Sequence, residues 1–420
     1  MLITLRKSLT KFTDKLWGMG ISLASGILMG ITFAPVEAWY LAWIALAPLW
    51  YLLCRDRNSG KWIYALCWGI GCYGCGLYWI FGIHPMTWLG VPDLASLGIA
   101  TFCLTFITVW GASLVIVWSI GLQFVNSKPQ LNPLTRVILG TAGWCGLEEL
   151  YSLTDLWWTS LALTQSPHNL PILHLGQLSG TTTVSAAIVL VNGLIAEACL
   201  TFNLYYRLKL IQRIWKASPY LNAAIGSIII LHSIGLMLLN RPLSQPIESS
   251  LKIGIIQGNI GNEVRHYRSG YDLAIENYTK GYISLAEQGV AAVVTPETAF
   301  PYRESHIKNT SFYQTILNKK VTAFIGGFGE VKGGITNSIL IITGDGKILS
   351  RYDKWKLVPL GEYIPFEQYI GKLVDTISPL EAHAVAGKFA PIIATPIGNI
   401  IFGICYDSAY PEHFRHQAQT

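Results

Sequence analysis

Charge is what this chain of 420 residues has least of. Asp, Glu, Lys and Arg make up 13% of it, against about 25% in average soluble domains. The net charge of +6 is spread over basic loops between apolar segments rather than gathered in a patch, which excludes a nucleic-acid-binding surface. Cysteine is nearly absent from the second half. Seven of the eight cysteines (Cys54, Cys67, Cys72, Cys75, Cys103, Cys145, Cys199) lie in the first 200 residues, in or beside apolar runs, and read as small buried hydrophobes. Cys72 and Cys75 form a CxxC with no His or acidic residue nearby, so metal or redox chemistry is not expected there. No cluster of His with carboxylates suggests a metal. His266, His306, His383, His413 and His416 are scattered and read as structural or surface residues. Internal repeats and low-complexity tracts are missing too, which excludes a solenoid.

Apolar sequence is abundant: 51% of residues are hydrophobic, with 15 Trp and 20 Tyr. A bilayer span needs about 20 apolar residues. Seven stretches qualify, at roughly 17–36, 38–54, 62–82, 95–122, 134–153, 177–202 and 221–240. The fifth is the weakest because it holds Glu148 and Glu149. Basic residues fall in alternate loops: Arg6, Lys7, Lys11 and Lys15; Arg55, Arg57 and Lys61; Lys128 and Arg136; then Arg207, Lys209, Arg213 and Lys216. The intervening loops have no Lys or Arg. By the positive-inside rule the N-terminus is cytoplasmic and everything after residue 240 lies outside. The first apolar run is too long for a cleaved signal peptide and reads as a signal anchor.

Past residue 250 the apolar runs shorten to strand length. Segments 251–257, 291–295, 321–326, 338–342 and 400–405 read as buried strands, and Asp345-Gly346 as a hairpin turn into 347–352. Segments 272–287 and 304–319 read as helices between them. Strands alternating with helices indicate an α/β layer domain. The predicted organisation is a transmembrane bundle of about seven helices over 1–240, a linker over 241–250, and an extracytoplasmic domain over 251–420.

Cys405 is the one cysteine after Cys199, so it has no disulfide partner in its own domain. A cysteine attacks as thiolate and needs a group to take its proton or stabilise its charge. Glu297, after one predicted strand, can serve as general base and acid. A lysine ammonium stabilises thiolate and oxyanion, and Lys354 competes with Lys356 for that role. The N–H of Tyr406 can add an oxyanion donor. An activated thiol beside a membrane half points to acyl transfer to or from lipid.

These residues resemble the apolipoprotein N-acyltransferase family, whose members join a multi-span bundle to a periplasmic nitrilase-like domain, an αββα sandwich. Pro296-Glu297-Thr298-Ala299-Phe300-Pro301 looks like the family's base segment. The run Tyr352-Asp353-Lys354 through Leu360-Gly361-Glu362-Tyr363 looks like its lysine segment. Ile256-Gln257-Gly258-Asn259-Ile260, Asn337-Ser338 and Cys405-Tyr406 also fit. In the membrane half, Phe33-Ala34-Pro35, Leu46-Ala47-Pro48-Leu49, Gly143-Trp144 and Glu148-Glu149 do as well. The resemblance implies Glu297, Lys354 and Cys405 as the triad, Glu362 as a second carboxylate, and support from Tyr406 and Asp407. It implies acyl transfer from a phospholipid, typically phosphatidylethanolamine, to the N-terminal amine of a diacylglyceryl-cysteine apolipoprotein, at the bacterial inner membrane and without a metal or dissociable cofactor. Thr295 stands where the family usually has Trp, Leu360 where it has Phe, and Asp407 where it has Glu. Only 15 residues follow Cys405, where the family continues with further strands and a last span, so the C-terminal part of the domain is expected to be missing. Rival readings are a membrane-anchored amidase or nitrilase-type hydrolase, and an inactive truncated product.

Overall fold

The computed structural model describes residues 2–55, 61–87, 90–157, 159–242, 250–261, 264, 267–300, 303–332, 334–359, 361–363, 384–389 and 392–419. The chain divides into two compact units, one of Met1–Thr87 with Pro92–Pro242, the other of Trp88–Val91 with Leu243–Thr420.

The first unit is helical: α1 (Leu2–Gly30), α2 (Ala47–Cys54), α3 (Trp62–Gly76), α4 (Asp93–Asn126), α5 (Pro133–Ser152), α6 (Thr181–Leu204) and α7 (Leu210–Leu239), with shorter turns between. Local signals place the ends. Asn132 caps α5, its side chain accepting from Thr135 N at 2.8 Å with Pro133 in the first turn. Among the described residues three helices, α4, α6 and α7, are long and apolar enough to cross a membrane. Phe102, Phe106, Ile120 and Phe124 on α4 and Ile225, Ile229, Ile230 and Met237 on α7 are exposed, as lipid-facing residues are. Inside the unit, α1 and α3 touch backbone to backbone: a Cβ on Gly26 would sit 2.1 Å from Trp68 O. Small residues allow such approaches between apolar helices.

The predicted span over 38–54 is not one helix. It is a 3-10 turn, Trp39–Trp43, followed by the eight residues of α2, which cover about 12 Å at 1.5 Å per residue, well short of a ~30 Å hydrocarbon core. Pro48 in the first turn of α2 disfavours helix just before it. The freed backbone groups are taken up by Asn192 of α6: its Oδ1 accepts from Leu46 N and Ala47 N at 2.9 Å each, and its Nδ2 donates to Ala42 O at 2.8 Å. Similarly, the predicted span over 62–82 ends at Gly76 and gives way to a 3-10 turn, Tyr78–Ile83. Asn192→Leu leaves buried backbone groups unpaired at about 1–3 kcal/mol each. Its thermal midpoint in detergent is therefore expected to fall by several degrees, and an unchanged midpoint would show that the break does not depend on Asn192.

The buried carboxylates of this unit, Glu197 and Glu148, are both hydrogen-bonded, Glu197 to a charged partner and Glu148 to neutral donors. Arg136 holds Glu197 through two hydrogen bonds of 2.7 and 2.6 Å. Glu148, in the weakest predicted span, accepts from Trp144 Nε1 at 3.1 Å, Ser160 Oγ at 3.2 Å and Leu161 N at 2.9 Å. Glu149 accepts from Thr182 Oγ1.

The second unit is built on a five-stranded sheet in sequence order: β1 (Ile253–Ile255), β2 (Ala292–Val294), β3 (Thr322–Val331), β4 (Gly334–Ile342) and β5 (Ile348–Asp353). The first three strands run parallel, and β4 and β5 pair antiparallel. One face packs on α8 (Arg268–Glu287) and α9 (Ser311–Lys319) around Tyr282, Phe300, Phe312 and Ile325. The predicted helix over 304–319 divides into Glu304–Ile307 and α9 because Thr310 caps the second piece, accepting from Tyr313 N at 3.2 Å. The other face, with Phe324, Ile341 and Tyr352, packs on Phe402 and Ile404.

The predicted strand over 400–405 is corrected. β6 (Ile393–Thr395) and β7 (Gly398–Ile400) form their own hairpin, and residues 401–404 run without a ladder. Side chains take the place of a partner strand. Gln417 of α10 (Pro411–Gln417) accepts from Phe402 N at 2.9 Å and donates back to Phe402 O at 2.8 Å, and Asp407 accepts from Ile404 N at 2.8 Å. Buried backbone groups find partners one way or another.

Candidate active site

Strand direction collects the candidate residues. Because β5 runs the same way as β2, the end of β2, the first half of β4 and the end of β5 share one edge. Glu297 follows β2, Lys354 follows β5, and Asn337 lies on β4, where its carbonyl accepts from Lys354 N at 2.8 Å. The Glu297 segment lies so close on β3 that a Cβ on Gly326 would meet Pro296 O at 1.9 Å, so only glycine fits beneath it.

Lys354 is 1% exposed. Its Nζ lies 3.2 Å from Glu297 Oε1 and 2.9 Å from a carboxylate oxygen of Glu362. Glu362 is held by a tight turn in which its Oε2 accepts from Val358 N at 2.8 Å. Asn337 Nδ2 donates to Glu297 Oε1 at 2.6 Å and to Glu362 Oε1 at 3.2 Å. The Cys405 thiol lies close enough to Glu297, Lys354 and Glu362 for all three charges to act on it. Thus Glu297, Lys354, Glu362 and Cys405, four residues singled out from the sequence, come together. Lys356 stays outside this cluster: its ammonium lies over the Tyr410 ring at 4.8 Å.

Cys405 has a backbone φ of +48° and opens a 3-10 turn, Cys405–Ala409. A non-glycine residue in that region costs about 1–3 kcal/mol and persists where the surroundings hold it. Asp407 supplies the hold. It is fully buried, and its carboxylate accepts from Ile404 N at 2.8 Å, Lys356 N at 2.8 Å and Tyr352 Oη at 2.7 Å. One side chain therefore ties the cysteine turn to the lysine loop. His413, also buried, lies 2.8 Å from Tyr352 Oη, a structural role in keeping with its reading. Tyr406 is buried edge-to-face on Tyr410 at 5.2 Å. Thr295 Oγ1 accepts from Gly326 N at 3.1 Å. Leu360 lies outside the described residues.

The electrostatics separate two ways of activating the thiol. Burial alone would push the Lys354 ammonium down, but Glu297 and Glu362 reverse this and hold it above its ordinary range. Cys405 is exposed as a residue, yet desolvation around its sulfur pushes the thiol up, Glu297 pushes it further, and Lys354 pulls it back; the net is above the ordinary thiol range. The resting thiol is therefore protonated at neutral pH, and attack requires a base at the moment of reaction, not a preformed thiolate. A polar cavity of about 80 Å³ adjoins this base, lined by Gln257, Asn259, Tyr271, Tyr278, Glu297 and Thr298. From sequence Asn337 fitted the family without an assigned role, and Asp407 had a supporting role whose partners, Tyr352 and the main chain at Lys356, were not foreseen. The available signal was Asn337 itself, a lone amide opening the apolar run 338–342.

A mixed α/β sheet bearing a thiol, an ammonium and two carboxylates at one edge, joined to apolar helices, is the architecture of a nitrilase-like enzyme on a membrane unit. Residues 252–419 match the carbon-nitrogen hydrolase family model, and residues 25–194 match the apolipoprotein N-acyltransferase N-terminal domain. The apolipoprotein N-acyltransferase of Nostoc sp. strain PCC 7120 is 47% identical over 395 residues, covering 93% of this chain and 76% of that protein. The Synechocystis sp. strain PCC 6803 protein of the same name is 39% identical over 409 residues, covering 93% and 78%. A solved carbon-nitrogen hydrolase from Helicobacter pylori G27 aligns with 40% of this chain and 56% of its own at 19% identity and TM-score 0.28, too slight a likeness to bear on the site. The chain belongs to the apolipoprotein N-acyltransferase family, a family of enzymes.

Proposed function

We propose that this enzyme moves an acyl chain from a membrane phospholipid, through a thioester on Cys405, to the N-terminal amine of diacylglyceryl-cysteine apolipoproteins. The observation that carries the reading is the Cys405 thiol beside Glu297, with Glu297 on Lys354, in a chain whose other unit is apolar helix. In the first half-reaction Cys405 Sγ attacks the ester carbonyl as Glu297 takes its proton. The Lys354 ammonium faces the developing oxyanion, with the Tyr406 N–H as second donor. The C–O bond breaks, and Glu297 returns the proton to the departing lysophospholipid oxygen. In the second half-reaction the neutral amine attacks the thioester carbonyl, and Glu297 takes the nitrogen's proton. The C–S bond breaks, and the thiol is re-formed with that proton. Glu362 orients Lys354 between two carboxylates. No metal or dissociable cofactor enters the scheme.

Both substrates are lipid-anchored, which favours a site at the outer leaflet of the bacterial inner membrane, with the N-terminus cytoplasmic and the catalytic unit periplasmic. The alternating basic loops support that orientation. The test is a transfer assay in detergent, using phosphatidylethanolamine with an isotope-labelled acyl chain and a synthetic diacylglyceryl-cysteine peptide. Labelled N-acyl peptide is the expected product. Labelled free fatty acid with unmodified peptide would instead make water the acceptor and the enzyme a hydrolase.

A further inference from the structure

Asn337 is placed differently from an ordinary buried asparagine. It is 6% exposed, and its Nδ2 meets both carboxylates, Glu297 Oε1 at 2.6 Å and Glu362 Oε1 at 3.2 Å. Its Oδ1 is buried with no hydrogen-bond partner among the described residues. The orientation of the amide follows from chemistry: the oxygen turned to this side would face two acceptors. An amide kept for packing alone would satisfy both ends. Here the two N–H groups serve the carboxylates while the carbonyl goes unmatched. Through its main chain the same residue also accepts from Lys354 N. Strand alternation isolates this contact, because Thr336 and Ser338 point to the other face and donate to Asp353 Oδ1 at 2.9 and 2.6 Å.

We infer that Asn337 is a positioning residue, which keeps Glu297 and Glu362 apart as two ionised carboxylates around one ammonium so that Glu297 is free to take the thiol proton. The inference rests on the role proposed above for Glu297 as base. Its reason is charge counting. Two carboxylates against a single ammonium carry one excess negative charge, and crowded carboxylates relieve it by sharing a proton. A base that already holds a proton cannot accept another. Among the described residues the charged or thiol groups clustered with Glu297 are Lys354, Glu362 and Cys405, and the phenols of Tyr271 and Tyr278 line the adjoining cavity. Of these only Lys354 opposes proton sharing, and it is divided between the two carboxylates. The Asn337 amide supplies the remaining donors without adding a group that titrates.

The experiment follows the pH dependence of Cys405 acylation by a p-nitrophenyl acyl ester, which needs neither phospholipid nor lipopeptide. Asn337→Ala is expected to slow acylation at pH 7 by about 10- to 100-fold, with its acid limb moved up by about one pH unit. Asn337→Asp keeps the shape but replaces the donor with a third acceptor, so its limb moves further. Asn337→Ser restores one donor and recovers part of the shift. Ser338→Ala, on the opposite face, leaves the limb where it is, and thermal midpoints show that each variant is folded. Folded variants slowed by one factor at every pH, with the limb unmoved, would overturn the inference. Wild-type enzyme that releases no p-nitrophenolate at any pH would instead overturn the reading of the site on which it rests.

Discussion

Cys405→Ala abolishes acyl transfer, with the rate falling at least about 10⁴-fold. The size of the effect follows from the scheme: without Sγ there is no thioester, and direct attack of the amine on a phospholipid ester would need a different geometry. The other seven cysteines all belong to the helical unit, and none to the unit that carries Glu297 and Lys354. Because Cys405 is exposed and its backbone turn is held by Asp407, the variant keeps its fold and a thermal midpoint close to that of the native enzyme. The transfer assay with labelled phospholipid checks this. Turnover surviving in a folded Cys405→Ala protein would require another nucleophile.

Glu297→Gln is the second large effect, and it is the more discriminating because two readouts move in opposite directions. Acylation is expected to slow by about 10²–10⁴-fold, the usual contribution of a positioned general base. The thiol itself becomes easier to ionise. Glu297 is one of the groups that push Cys405 above the ordinary thiol range, while Lys354 pulls it down. Removing the carboxylate charge leaves the downward pull less opposed, so alkylation of Cys405 by iodoacetamide begins at a lower pH than in the native enzyme. A more reactive thiol with slower acylation separates a base from a mere neighbouring charge. If acylation and alkylation instead fell together, Glu297 would be supporting the thiolate, and the direction of proton transfer in the scheme would be wrong.

The parts of this molecule that sequence made legible are those governed by local pattern. Short apolar runs between polar helical stretches located β1 to β5 to within a few residues. The order carboxylate, lysine, cysteine, each beside such a run, brought out Glu297, Lys354 and Cys405. What stayed hidden was set by single side chains acting across long separations. Asn192 satisfies the backbone at Leu46, 146 residues away, and hydropathy along 38–54 contains nothing of that contact. Residues 401–404 have the composition of a sheet strand, but Gln417 and Asp407 take the hydrogen bonds a neighbouring strand would make. Asp407, one methylene shorter than the glutamate the resemblance leads one to expect, reaches three donors. Trp355 stacks on His413 at 5.3 Å with an interplanar angle of 8°, which is packing within its own unit.

The central claim is that Cys405 carries the acyl group between donor and acceptor. Its most direct test is the intact mass of the purified enzyme before and after incubation with phosphatidylethanolamine, with no acceptor present, beside Cys405→Ala. The expected result is a gain of one acyl chain on the native enzyme, removed by neutral hydroxylamine as a thioester is, mapped to the peptide containing Cys405 and absent from the variant. An enzyme that transfers acyl groups to lipopeptide while never carrying one, or that carries it equally after Cys405→Ala, would contradict the account.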